Sequence, residues 1–225
     1  MYLDDEIALL EPVFEAAGDT FHLVGHSFGG AIALKAALQN PRRLNSLIVY
    51  EPVLFSVLAG HNPGHPALRE IMAVRDDTIQ LASLGDLEAA AARFADYWLG
   101  RGAWAAMPEA RRSALANAMR MVKAEWHAAF HEPAGLAAFA SIDVPTLFLT
   151  GSRSPAAAKE VAKLLCGVLP RVRVCELEGL GHMGPVTHPE NVNDVIAAFL
   201  QEVQDCLVAC STGAGTSRPC NVPLQ

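Results

Sequence analysis

Phe21-His22-Leu23-Val24-Gly25-His26-Ser27-Phe28-Gly29-Gly30 decides the fold. A short apolar strand runs into a G-x-S-x-G turn, and a small-residue helix from Gly29 to Asn40 follows at once. A strand, a sharp turn and a helix in that order present a serine as a nucleophile. The turn is tight enough that the residues flanking the serine must be very small, a need that Gly25 and Gly29 meet. The spacing leaves the Ser27 hydroxyl standing at the C-terminal edge of a sheet. The competing reading is a structural turn without chemistry.

Outward from this turn the chain alternates. A helix over residues 4–17 precedes it, and Gly18-Asp19 breaks that helix. Leu44 to Tyr50 is a second strand, almost continuously apolar, as a strand buried on both faces requires. Residues 53–140 then lack any clear strand. Helices are predicted there over 67–84, 86–99 and 108–131, with Trp98, Met119, Met121 and Trp126 on them. The alternation resumes with a strand over 144–150, a helix over 155–168, a strand over 171–177, a glycine-rich loop around His182, and a last helix over 189–203. The class is α/β with a mostly parallel sheet. Residues 1–52 and 141–203 form its core, 53–140 a helical insertion after the second strand, and 204–225 a disordered tail rich in Ser, Thr, Gly and Pro towards its end.

The composition narrows the function. Hydrophobic residues make up 52% of the chain and charged residues 18%, so a packed core is expected. The net charge is −7 and no Lys/Arg cluster stands out, which argues against nucleic acid. No apolar run is long enough to span a membrane, and the acidic start is unlike a signal peptide. The 5 cysteines are odd in number and lack metal-ligand spacing, which reads as free thiols in a cytoplasmic protein. His127 and His131 stand at i, i+4 without the further ligands a metal needs. No cofactor or metal is implied; the expected partner is a small-molecule substrate.

A free hydroxyl is a poor nucleophile at neutral pH, so Ser27 needs a base. His182 follows the last strand directly. Both residues therefore sit beyond the C-terminal ends of parallel strands, where active sites form in such sheets. The bland alternative for His182 is a capping role in its loop. Phe55, Trp98, Trp126 and Met119 read as lining of an apolar substrate pocket or as packing between insertion and core, and Met183 and His26 join the pocket candidates; for His26 the alternative is packing of the turn itself.

At these residues the chain resembles the α/β-hydrolase superfamily, over about residues 4–202. Gly25-His26-Ser27-Phe28-Gly29-Gly30 resembles the nucleophile elbow, 53–140 the helical cap, Val144–Gly151 the seventh strand, and Gly181-His182 with His188-Pro189-Glu190 the histidine loop and last helix. The resemblance implies an α/β-hydrolase fold and a serine hydrolase acting on a small, largely apolar ester or related carbonyl compound. Hydrolysis of a carbon–carbon bond is a variant on the same residues. A serine at this position separates the chain from the dehalogenase and epoxide hydrolase branches, which use aspartate there. The resemblance also assigns the Phe28 N–H to the oxyanion.

Two departures follow. The family's acid usually stands just after the seventh strand, but Ser152-Arg153-Ser154-Pro155 holds no carboxylate. Glu51, at the end of the neighbouring strand, is the substitute; Glu178, or no acid at all, are the alternatives, and Glu51 could instead anchor the insertion. The family's first four strands, with the loop that supplies a second oxyanion donor, are absent before Met1. The expectation is a truncated reading frame of a complete enzyme, with a bare sheet edge at 20–24 open to self-association. The competing function is a catalytically inactive fragment or binding module.

Overall fold

The computed structural model describes residues 1–211, with side chains as far as Ala209. Its four strands are β1 (Phe21–His26), β2 (Leu44–Tyr50), β3 (Thr146–Gly151) and β4 (Val172–Leu177). They lie in the order β1-β2-β3-β4, and all three pairings are parallel. The two middle strands are buried almost throughout, and the two edge strands only in part. That is why β2 reads as an almost continuously apolar run: alternate residues face two different cores. Leu47, Val49 and Phe148 point to one side, into the cluster that holds Leu34, Val161 and Leu165. Ile48, Leu147 and Leu149 point to the other, against Val192, Phe199 and Val203.

The covering helices are placed by their small or apolar faces. α1 (Leu3–Ala16) packs outside α2 (Ser27–Gln39) through Ile7, Phe14 and Ala36. α2 presents Ala31, Ala33 and Ala37 to the sheet, all buried, so its backbone approaches closely. A larger residue there would have to displace strand side chains, at a cost of about 1–3 kcal/mol. Both β1 and α2 are longer than expected at the turn. The strand runs to His26 and the helix begins at Ser27 itself, so the elbow has no intervening loop.

Between β2 and β3 the chain is helical: α3 (Phe55–His61), α4 (Pro66–Ser83), α5 (Leu87–Trp98), the single turn α6 (Ala103–Ala106), α7 (Glu109–Ala118) and α8 (Val122–Phe130). One long helix over 108–131 was expected, and the structure breaks it. Over 119–122 the amides of Met119, Arg120, Met121 and Val122 each bond three residues back, a tighter turn than the α-helix makes. Both Met119 and Val122 are buried at this turn. A 3₁₀ turn over Leu136–Ser141 returns the chain to β3. Lys35 of α2 reaches Glu132 at 2.8 Å, and the Glu132 side chain is fully buried, so this ion pair ties the end of the helical block to the helix behind Ser27.

α9 (Ala156–Cys166) follows β3; the turn α10 (Gly184–Thr187) and then α11 (Pro189–Ser211) follow β4. α11 corrects the expected tail, since residues 204–211 are helical and Val203 is buried beneath them. The rest of the tail, 212–225, lies outside the described residues, as does Cys220. Cys166 and Cys175 are free, as expected. Cys206 is not: it is disulfide-bonded.

Candidate functional site

The site stands on the C-terminal ends of β1, β2 and β3. Ser27 follows β1 and has a φ of 56°; Glu51 follows β2 and has a φ of 43°. Among the described residues these are the two non-glycine positions with positive φ. A side chain in that region costs about 1–2 kcal/mol through contact between its Cβ and the following carbonyl. The surrounding bonds hold both in place. The Val53 amide donates to the Ser27 carbonyl at 3.1 Å, and the Glu51 amide to the Leu149 carbonyl at 3.1 Å.

Of the glycines expected to make the turn, Gly25 is sterically required: a Cβ there would run into the Gly29 carbonyl. Gly29 is not, since a Cβ at that position meets nothing within 4 Å. The second crowded glycine is Gly30, whose added Cβ would lie 3.1 Å from Pro52. The turn thus fills the space between strand and helix on its inner side only.

Ser27, His182 and Glu51 form one hydrogen-bonded chain. The Ser27 Oγ lies 2.9 Å from His182 Nε2, and His182 Nδ1 lies 2.8 Å from Glu51 Oε2. The carboxylate's other oxygen accepts the Gly151 amide at 2.7 Å and the Thr150 hydroxyl at 2.9 Å. Glu51 is fully buried and His182 nearly so. Burial alone would raise the Glu51 pKa. The hydrogen bond and charge of His182, then the Gly151 amide, outweigh it and hold the carboxyl below its ordinary range. With Glu51 ionised, Nδ1 carries the shared proton and Nε2 is left to accept from Ser27.

His26 and Tyr50, the last residues of β1 and β2, brace the histidine loop. His26 Nε2–H donates to the His182 carbonyl at 2.8 Å, and the Tyr50 hydroxyl to the Gly181 carbonyl at 2.8 Å. Burial, then the neighbouring His182, lower the His26 pKa to about 4, so His26 is a neutral donor. His26 therefore acts on the loop backbone rather than lining the pocket.

The aromatic residues divide. Trp98, the last residue of α5, lays its ring over His182 with centroids 4.0 Å apart. Trp98 and Trp126 both line a pocket of about 50 Å³ beside Ser27, together with Phe28, Phe94 and Glu125. Phe55 is fully buried and stands against Trp98, Trp126 and Phe130, which makes it packing. Met119 is likewise buried. Met183 lines a separate cleft of about 1010 Å³ on the other flank of Trp98. His127 and His131 stack at 4.3 Å, and the described residues hold no cluster of three or more metal-ligating side chains.

Sequence reasoning did not single out Tyr50 or Glu125. Tyr50 carried a usable signal, a polar-tipped residue ending an otherwise apolar strand. Glu125 carried none, as it is one acidic residue among several on exposed-looking helices. Burial, then the charge of Glu6, raise its carboxyl above the ordinary range.

The profile of the alpha/beta hydrolase family matches residues 2–195, and the chain belongs to that family. Polyketide synthase ThaQ of Burkholderia thailandensis is 30% identical over 187 residues, which are 80% of this chain and 8% of that protein. N-formylmaleamate deformylase of Pseudomonas putida is 25% identical over 216 residues, 88% of this chain and 69% of that protein. The solved structure of MenH from S. aureus superposes with a TM-score of 0.68 at 20% identity, covering 90% of this chain and 76% of that one. The fold is the α/β-hydrolase fold. Among the described residues no helix is long and apolar enough to cross a membrane.

Proposed function

We propose that this chain is a serine hydrolase of a small, largely apolar ester or related carbonyl compound, working through Ser27, His182 and Glu51. The observation that carries the reading is the hydrogen-bonded chain from the Ser27 Oγ through both ring nitrogens of His182 to Glu51, mounted on strand ends and built on a left-handed serine. The relative that is named a deformylase of N-formylmaleamate supports a carbonyl substrate broader than esters.

In this reading His182 Nε2 takes the Ser27 proton as Oγ attacks the carbonyl carbon. Ionised Glu51 stabilises the imidazolium and keeps its tautomer. The Phe28 N–H holds the developing oxyanion; one such donor is worth about 2.7–4 kcal/mol of transition-state stabilisation. The tetrahedral adduct collapses and the leaving group departs with the proton from His182. Water, activated by the same imidazole, then releases the acyl group. Residues 53–140 serve as the cap over this site, and the pocket between Trp98 and Trp126 takes the acyl group.

A fluorophosphonate probe tests the reading. It should label the protein at Ser27, with labelling abolished in Ser27→Ala. Labelling that persists in that variant moves the nucleophile elsewhere. A folded native protein that takes no label favours the inactive binding module.

A further inference from the structure

The cleft of about 1010 Å³ is walled by three separate parts of the chain. α5 and its exit contribute Arg93, Trp98 and Arg101; the segment after β3 contributes Arg153 and Pro155; the loop after β4 contributes Gly179, Gly181 and Met183. The cleft therefore lies outside the C-terminal ends of β3 and β4, where ligands bind in parallel sheets. Gly181 and Met183 are the chain neighbours of His182. Trp98 borders both this cleft and the pocket beside Ser27, and its ring lies against His182.

The charge of the cleft runs against that of the chain. The chain carries −7, yet the cleft is lined by three arginines against two acids, Glu70 and Asp96. Arg93 is already engaged, with Asp77 at 2.8 Å, and Asp96 accepts the Trp104 amide at 2.9 Å. Glu70 and Arg93 act on the Tyr97 hydroxyl with opposite sign, so their charges offset one another there. Arg101 and Arg153 remain. Both are exposed, and neither guanidinium has an ion pair or hydrogen bond among the described residues. One comes from the helical block and the other from the sheet, so the two cations stand on different walls. Tyr97, Trp98, Leu99 and Met183 give the cleft aromatic and apolar surface beside them. A guanidinium holds a carboxylate through paired, charge-assisted hydrogen bonds. The pocket beside Ser27, at about 50 Å³, has room for only a few heavy atoms, so the rest of a substrate must lie elsewhere. We propose that the cleft receives the leaving-group half of the substrate, that this half carries a carboxylate on an apolar or aromatic body, and that Arg101 and Arg153 bind that carboxylate. The proposal rests on the reading of Ser27 as the nucleophile.

The test uses two acetate esters, 4-acetoxybenzoate and methyl 4-acetoxybenzoate, whose leaving groups differ in carrying a free or a masked carboxylate. Their intrinsic reactivities differ, but that difference is common to every variant. Replacing both cations, Arg101→Gln with Arg153→Gln, should lower the acid-to-methyl-ester ratio of kcat/KM by about 5- to 10-fold, the worth of two exposed ion pairs. The loss should fall mainly on KM. Added salt should erode the ratio in the native protein, because exposed charges are screened, and should hardly change it in the double variant. An unchanged ratio, or an equal loss on both esters, overturns the proposal. A second measurement needs no turnover. In calorimetric titrations of Ser27→Ala, 4-hydroxybenzoate should bind more tightly than its methyl ester, and replacing the two arginines should remove that preference; a preference that persists, or none at the outset, overturns the proposal. Ser27 labelled by fluorophosphonate with an unchanged ester ratio refutes the arginine site alone. Arginine-dependent binding of 4-hydroxybenzoate to a protein that takes no label refutes the nucleophile and leaves the anion site standing.

Discussion

The C-terminal rim of the sheet and the helical block above it are built in opposite ways. The rim is strained in backbone, and its Glu51 carboxylate and His182 ring are complete in hydrogen bonding. Ser27 and Glu51 both hold positive φ, while both Glu51 oxygens and both His182 ring nitrogens have partners. The block is relaxed in backbone: its positive-φ residues are the glycines at helix ends, Gly85, Gly100 and Gly102. It is incomplete in hydrogen bonding, because Ser56 Oγ, Tyr97 Oη and Trp98 Nε1 are buried without partners among the described residues. The difference teaches where each region keeps its unfavourable energy. The rim spends it on geometry held ready before any ligand arrives. The block holds it as buried polar groups left without partners among the described residues.

The largest effect should come from the rim. Glu51→Gln keeps the shape and removes the charge opposite the imidazolium. Turnover should fall about 10³–10⁴-fold with little change in the melting temperature. Near-native turnover would show that the bond from Glu51 to His182 merely packs the loop, and would erase the contrast between the two regions.

A pH titration of stability sharpens the rim's side of the contrast. His26 is held at a pKa of about 4 when folded, against about 6.5 unfolded. The unfolded chain therefore binds the extra proton first, and stability drops as pH falls from 6.5 towards 4. Glu51 is depressed when folded. Its contribution is present above the ordinary glutamate range and disappears as pH falls through its lower folded value. Urea unfolding between pH 7 and 4.5 should lose up to about 3 kcal/mol through His26. His26→Asn should flatten that slope; an unchanged slope would assign it to other groups.

The smallest effect separates the two tryptophans within the block. Thr78→Val strands the Trp126 N–H and should cost about 1–3 kcal/mol in denaturant unfolding. Trp98→Phe removes a donor that is already unpaired and should cost less than Thr78→Val does. Equal costs would mean that the two indoles are not in different states.

Much of this was legible because it is written in contiguous residues. The elbow, the doubly buried β2 and the glycine-rich His182 loop each carry a local pattern, and Glu51, which bonds His182, drew attention because the segment after β3 holds no carboxylate. Where the pattern was one of composition alone, it misled. The run over 108–131 reads as one helix because its residues are good helix formers, but the chain tightens over 119–122, where each amide bonds three residues back. The tail's polar composition hid eight more helical residues, 204–211. Gly29 fits the motif, yet Gly30 is the crowded glycine, since crowding depends on Pro52 across the turn.

The sequence by itself determined the strand–turn–helix at Ser27, because a backbone turn that tight depends on neighbours within a few residues. Only the tertiary structure decided that His182, 155 residues later, meets Ser27, that Glu51 meets His182 across 131 residues, and that the Trp98 ring lies against His182. Those contacts follow from how strands align and helices pack, and a hydrogen bond is gained or lost over less than an ångström, a distance no sequence pattern encodes.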